Sequence, residues 1–264
     1  MPNALLEGKR GAVFGVANDK SIAWACAQAC AAQGAQLAFN YPGEGLEKRV
    51  RALAETIPGS PVLPCDVRDD AQIEAFFQEL KKEWGGLDFV IHSVAYAERE
   101  DLQNPFIDTP RDNFNLALEV SAYSLVAVTR AAAPLMNEGG SVVTMTYYGA
   151  EKVIPNYNVM GVAKAALEAC TRYLAAGLGP SNIRVNAISA GPLRTLSASA
   201  IGGMRKMLKA NESVTPLRRN IEAREVADAA VYLLSDMSSA VTGEVLHVDA
   251  GYHALGMFAT EDEG

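Results

Sequence analysis

Seven short apolar runs, separated by segments of helical periodicity, set the tightest limit on what this chain can fold into. Gly11 to Gly15 reads as a strand, Ser21 to Gln33 as an alanine-rich helix and Gln36 to Tyr41 as a second strand, which places a βαβ unit at the N-terminus. Helix Glu44 to Thr56, strand Pro61 to Cys65, helix Asp70 to Trp84 and strand Leu87 to His92 repeat the alternation. A long helical pattern, Arg111 to Met136, leads to strand Ser141 to Thr146, and a helix beginning near Tyr157 leads to strand Arg184 to Ile188. After a looser Met- and Lys-rich segment, Ala223 to Leu234 reads as helix and Glu244 to Val248 as strand. Strands joined through helices pair in parallel, so the expected fold is a single α/β domain, residues 1–264. It is a Rossmann-like, doubly wound parallel sheet of about seven strands with helices on both faces.

The apolar fraction of 49% is ample for one core, and no polar linker divides the chain. No uninterrupted apolar run approaches the roughly 20 residues of a membrane helix, and Met1 to Arg10 lacks the basic-then-apolar pattern of a signal peptide. A cytoplasmic protein without membrane insertion is expected. The 23 basic and 31 acidic side chains give a charge of -8, which argues against a broad nucleic-acid surface. Cys26, Cys30, Cys65 and Cys170 lie in apolar periodic segments and read as buried free thiols. His92, His247 and His253 form no metal-binding pattern, so no metal is expected.

In a doubly wound sheet, ligands sit beyond the carboxyl ends of the strands, and the informative polar residues fall there. Gly15 to Ile22 follows the first strand: Gly15 lets the turn tighten, and amides around Ser21 and Ile22 would point at a pyrophosphate on the helix dipole. The stretch is neither a Walker loop nor a full G-x-G-x-x-G, and alone it is equally an ordinary strand-to-helix turn. The second strand ends at Tyr41-Pro42-Gly43-Glu44, without an immediate arginine for a 2'-phosphate, and Glu44 would repel one; NADH is favoured over NADPH, with Lys48 and Arg49 nearby as a complication. Asp66 is positioned to accept from an adenine amino group or simply to lead a helix, and Ser93-Val94-Ala95 offers small side chains for backbone to run along a cofactor.

The stretch from Tyr147 to Lys164 brings two phenols and an ammonium to the start of a helix for which Asn156 is the expected cap. Tyr157 and Lys164 are seven residues apart, so they return to nearly the same helical face about 10 Å apart and can address one extended ligand. An interfacial tyrosine and a solvated lysine would give the same pattern.

Taken together, these residues resemble the NADH-dependent enoyl-[acyl-carrier-protein] reductases of bacterial type II fatty-acid synthesis, in the short-chain dehydrogenase/reductase superfamily. The resemblance rests on Gly15-Val16-Ala17, Ser21-Ile22-Ala23, Cys65-Asp66-Val67, His92-Ser93, Tyr147-x9-Tyr157-x6-Lys164 and Asn186 to Pro192 in order, and it runs from Leu6 to Met257. It implies reduction of a trans-2-enoyl thioester with NADH, with Tyr157 as the principal active-site phenol, Lys164 gripping the nicotinamide ribose and Tyr147 lining the acyl site. It implies further that Gly15, Ser21, Ile22, Asp66, Val67, Ser93 and Ala95 hold the cofactor, with Leu193 and Thr195 near its nicotinamide end. Ala95 stands where the family usually has glycine, and the Asn18-Asp19-Lys20 turn also departs from common members. Many carbonyl-reducing relatives use Tyr-x-x-x-Lys, but Gly161 occupies that position here; a 3-oxoacyl-thioester reductase or other short-chain alcohol dehydrogenase is the alternative, and a nonenzymatic Rossmann-like regulator a more distant one. The resemblance also implies a substrate lid over residues 193–210, a homotetramer built on the apolar helices Arg111 to Met136 and Tyr157 onward, and an acidic acyl carrier protein as partner. Arg194, Arg205, Lys206 and Lys209, with no acidic residue between Arg194 and Lys209, are the basic patch expected to meet that carrier.

Overall fold

The computed structural model describes residues 4–136, 139–193 and 204–257. Its described residues contain seven strands: β1 Arg10–Phe14, β2 Gln36–Tyr41, β3 Val62–Pro64, β4 Phe89–His92, β5 Gly140–Thr146, β6 Ile183–Ala190 and β7 Val245–Val248. All pair in parallel in the order β3-β2-β1-β4-β5-β6-β7. The helices are α1 Ile22–Ala32, α2 Glu44–Ala54, α3 Asp70–Trp84, α4 Arg111–Leu118, α5 Ser124–Ala132, α6 Asn158–Leu178, α7 Met204–Val214 and α8 Ala223–Leu234.

A parallel sheet buries both faces of its central strands, which is why those strands read as largely apolar. Alternate residues divide between two cores: Val13, Phe39 and Ile91 pack with Trp24 and Cys30 of α1 and Ala230 and Leu233 of α8. Phe14, Ala38 and Val90 pack with Phe76 and Phe77 of α3, Leu125 and Val128 of α5 and Leu167 of α6. Cys26, Cys30 and Cys65 are buried and Cys170 is half-buried, all as free thiols. Strand order reverses between β1 and β4, and the crevice beyond their carboxyl ends is where this architecture binds ligands.

The long helix expected from Arg111 to Met136 is interrupted. A π-helical turn, Glu119–Tyr123, separates α4 from α5, and a tighter 3-10 turn, Ala133–Leu135, ends the run, because Pro134 supplies no backbone donor to continue it. By length and composition Arg111–Leu135, with mean hydropathy 1.3, matches a membrane span, yet 56% of its most apolar window is buried within the protein. Its apolar character serves the second core. The segment read as loose before Ala223 contains α7, whose Leu208 is buried.

Candidate active site

The crevice is closed at its base by a glycine. Gly15 adopts φ +102°, and a β-carbon on it would lie 2.1 Å from the Ser93 carbonyl oxygen, so only glycine lets the end of β1 approach the end of β4 this closely. Its amide donates to Asn40 Oδ1 at 3.3 Å, and Asn40 Nδ2 donates to the Cys65 carbonyl at 2.9 Å. Buried Asn40 thus ties together the ends of β1, β2 and β3, a role that strand patterning did not single out. Ser21, immediately before α1, accepts from the amides of Ala17 and Asn18, both at 3.0 Å, and so folds the turn that sets the positive end of α1 at the crevice. Ile22 is half-buried beside it.

Asp66 follows β3, with Val67 buried behind it. Its carboxylate takes a forked pair from Arg68, with Nη2 to Oδ2 at 2.6 Å and Nε to Oδ1 at 3.1 Å. The Arg68 guanidinium holds this carboxyl below the usual carboxylate range, so it is an ionised acceptor whose oxygens already carry a partner. Arg68 was not foreseen from sequence. Across the crevice, Ser93, Val94 and Ala95 continue from β4, and Ala95 packs against a small cluster of Leu102, Tyr157 and Met160 with Tyr147 at its edge.

Tyr147 and Tyr157 meet in that cluster, with ring centroids 4.9 Å apart and planes at 76°, the edge-to-face geometry favoured by aromatic quadrupoles. Two glycines make room for it. A β-carbon on Gly149 would stand 2.4 Å from Tyr157 Cδ1, and one on Gly161 would stand 2.8 Å from the Gly149 carbonyl oxygen. Position 161 therefore cannot host the lysine of a Tyr-x-x-x-Lys site without moving the backbone under the phenol.

Asn156 is not the cap. Helix α6 starts at Asn158, Tyr157 is its cap residue, and Asn156 and Asn158 take φ of +62° and +39°, conformations that asparagine tolerates better than most side chains. Asn158 Nδ2 instead donates to the carbonyls of Asp101 and Asn104 at 3.0 and 2.9 Å, pinning the loop after β4 to the entrance of α6.

Burial raises both phenols: Tyr147 is pushed up to about 12, and Tyr157, more deeply enclosed, higher still, so each stays a protonated donor at neutral pH. Lys164 lies on α6 at 5% exposure, and its Nζ donates to the Met145 carbonyl at 2.7 Å. Burial lowers its pKa to about 8 against the opposing pull of Glu168. Glu168, itself raised by burial, accepts from Thr146 Oγ1 at 2.8 Å. His92 at the end of β4 is lowered to about 3, by burial first and by the Lys164 charge second, so it is neutral.

Leu193, just past β6, is half-buried and lines a groove of about 440 Å³ with Lys20, Pro192, Leu208, Asn220 and Ile221. Thr195 and the stretch 194–203 of the expected lid lie outside the described residues. Helix α7 approaches the phenols: Met207 Sδ stands 3.8 Å from the Tyr147 hydroxyl. Asn220 anchors this helix, donating to the Leu208 carbonyl at 3.0 Å while accepting from Asn211 at 3.1 Å.

Comparisons with known proteins cover nearly the whole chain. The profile of the family described as enoyl-(acyl carrier protein) reductase matches residues 15–253. Enoyl-[acyl-carrier-protein] reductase [NADH] 1 of Rhizobium meliloti (strain 1021) is 53% identical over 259 residues, covering 98% of this chain and 95% of that protein. The crystal structure of the enoyl-(acyl-carrier-protein) reductase of Anaplasma phagocytophilum in complex with NAD superposes with a TM-score of 0.93 at 50% identity, covering 97% of this chain and 98% of that one. The Bacillus cereus enoyl-acyl carrier protein reductase, solved with NADP+ and an indole naphthyridinone, gives 0.94 at 53% identity, covering 96% of this chain and 99% of that one. The chain belongs to the enoyl-[acyl-carrier-protein] reductases of the short-chain dehydrogenase/reductase superfamily.

Proposed function

We propose that this protein reduces the C2–C3 double bond of trans-2-enoyl thioesters carried on acyl carrier protein, using NADH, in fatty-acid elongation. The observation that carries this reading is the pairing of a buried, protonated Tyr157 with a buried Lys164 seven residues on, while Gly161 closes off the alternative lysine position. The crevice fits a dinucleotide: a glycine-tight β1–β4 approach, a helix N-terminus and the small side chains of Ser93 and Ala95 leave room for backbone to run along it. Gly15, Ser21, Ile22, Asp66, Val67 and Ser93 would hold its pyrophosphate or adenosine side with Ala95 beside it, and Leu193, Thr195 and Lys164 its nicotinamide end.

Bound there, the reduced nicotinamide would supply hydride to C3, which would drive negative charge onto the thioester oxygen, and a proton taken ultimately from solvent would complete the reduction at C2. Tyr157 donates its phenolic hydrogen bond to that oxygen as the charge grows, without water competing for the donor. Lys164 has donor capacity left after the Met145 carbonyl and holds the ribose while adding positive potential. Tyr147 and Met207 line the acyl side. NADH is the expected reductant because Glu44 opens α2 just past the end of β2, where it would repel a 2'-phosphate, and Arg51 on the same helix is already paired with Glu47 at 2.8 Å and lies over the Tyr41 ring.

The whole chain is read as one reductase domain with residues 193–210 as a substrate lid, acting in the cytoplasm as a homotetramer. Exposed Tyr123 beside α5 and Tyr173 and Val162 on α6 support close packing of copies. Sedimentation at micromolar concentration reads the assembly, and a 28.1 kDa species alone would reject it.

Two kinetic comparisons test the reaction and the partner in turn. Crotonyl thioester should oxidise NADH while acetoacetyl thioester does not; the reverse preference would make the protein a carbonyl reductase. Lys206 and Lys209 are exposed on α7, and their neutralisation should raise KM for carrier-linked enoyl substrate and flatten its salt dependence, leaving a pantetheine-linked mimic nearly unaffected. Equal losses on both substrates would place the damage in the lid and remove these lysines from carrier docking.

A further inference from the structure

The π-helical turn Glu119–Tyr123 interrupts the helix that runs from α4 to α5. Such turns admit an extra residue into a helix at the expense of regular bonding, and they recur at functional sites. Here the distortion presents two fully buried serines, Ser121 within the turn and Ser124 just after it, to the end of β4.

Ser121 Oγ accepts from the Tyr96 amide at 2.9 Å and donates to the Tyr96 carbonyl at 3.1 Å. A hydroxyl has one hydrogen and two lone pairs, so this one side chain satisfies both backbone groups of one residue beyond the end of the strand. The same oxygen lies 3.8 Å from Met160 Sδ on α6, three residues after Tyr157.

Ser124 holds the other end of the segment. Its hydroxyl donates to the Val120 carbonyl at 2.6 Å, so at the 2.8 Å contact with His92 it accepts, which assigns the imidazole proton to Nε2. His92 Nδ1 then accepts from Thr144 Oγ1 at 2.9 Å. The stretch His92 to Tyr96 is therefore bracketed by Ser121 of the distorted turn and Ser124 at the start of α5, and the three residues between the brackets are Ser93, Val94 and Ala95. Gly15 closes on the same stretch from β1.

We infer that Ser121 is a positioning residue for the cofactor: it fixes the Ser93–Ala95 backbone at the distance the dinucleotide requires and couples that wall to the helix bearing Tyr157. The inference rests on the reading that NADH runs along Ser93–Ala95, and the test separates the two. Ser121→Ala leaves both Tyr96 backbone groups without their side-chain partner, so Kd and KM for NADH should rise about tenfold. At saturating NADH, kcat should stay within about twofold, the KM for enoyl thioester should not move, and hydrogen exchange at the Tyr96 amide should accelerate. Ser121→Cys keeps the shape with a weaker acceptor; it should shift NADH affinity in the same direction by less, and it serves as the test if the alanine variant folds poorly. Ala95→Leu, which fills the wall itself, should abolish NADH binding. NADH affinity unchanged in both Ser121 variants while Ala95→Leu loses it would overturn the role of Ser121 and leave the cofactor reading standing. Unchanged affinity in all three would overturn both. A loss of kcat and melting temperature in the Ser121 variants without any change in NADH affinity would assign Ser121 to folding alone and also overturn the inference.

Discussion

Tyr157→Phe should lower kcat for enoyl thioester reduction by about 10²- to 10⁴-fold, with KM for NADH nearly unchanged. The substitution removes one oxygen from a site packed by Ala95, Leu102, Met160 and the Tyr147 ring, so the shape of the pocket survives and only the donor is lost. That donor matters because it faces charge that is absent in bound substrate and appears on hydride transfer, which is the condition for raising kcat rather than tightening binding. Burial holds the phenol protonated across the working pH range, so the wild-type rate should show no titration from Tyr157. The rings of Tyr147 and Tyr157 touch, which makes Tyr147→Phe a useful contrast. A Tyr157→Phe enzyme with wild-type kinetics at saturating NADH would remove the catalytic assignment, whatever Tyr147→Phe does.

Lys164→Met should raise KM for NADH about 10- to 100-fold, the loss expected when a charge-assisted hydrogen bond to the cofactor disappears. In the wild type, affinity for NADH should fall as pH rises through about 8, where the buried ammonium releases its proton, and the methionine variant should lack this inflection. Stability should move the other way. Below about pH 8 the lysine is charged in folded and unfolded chains, and the cost of burying the ammonium is fully present. Between about 8 and the ordinary lysine value of 10.5 the unfolded chain binds more protons, so folding stability gained from this group increases with pH. Lys164→Met should accordingly melt at a higher temperature than wild type at pH 7, with the difference shrinking toward pH 10. Melting temperatures and NADH titrations at matched pH check both signs; a variant less stable at pH 7 with unaltered NADH affinity would make Lys164 a structural residue.

The spacing of these two side chains is legible in the sequence, although Tyr157 stands at the cap of α6 and only Lys164 lies on the helix itself. The same holds for the strands: the central ones, β1, β4, β5 and β6, are buried along nearly their whole length and read as largely apolar runs, while the edge strands β3 and β7 are only partly buried. Gly15 was visible as a turn residue for its own backbone. What it touches was not, because the Ser93 carbonyl that excludes a side chain there comes from a strand far away in sequence.

Other features existed only as contacts between distant segments. Gly149 and Gly161 look like unremarkable small residues until the Tyr157 ring and the Gly149 carbonyl occupy the space their side chains would need. Asn156 has the composition of a cap, yet the helix starts two residues later, where Asn158 anchors the loop after β4. Asp66 carries the expected charge, but its pairing with Arg68 depends on how the turn after β3 closes. The π-helical turn lies in a stretch whose apolar periodicity is helical throughout, and what accompanies the distortion there is a long-range pair of hydrogen bonds between Ser121 and Tyr96. Periodicity and spacing express the conformational preferences of neighbouring residues, and so the sequence by itself determined the layers of the fold and the seven-residue step from Tyr157, at the cap of α6, to Lys164 within it. The depth of their burial, the protonation state it imposes and the clasp on the Ser93–Ala95 wall were decided only in the tertiary structure, because desolvation and close approach are properties of segments brought together from across the chain.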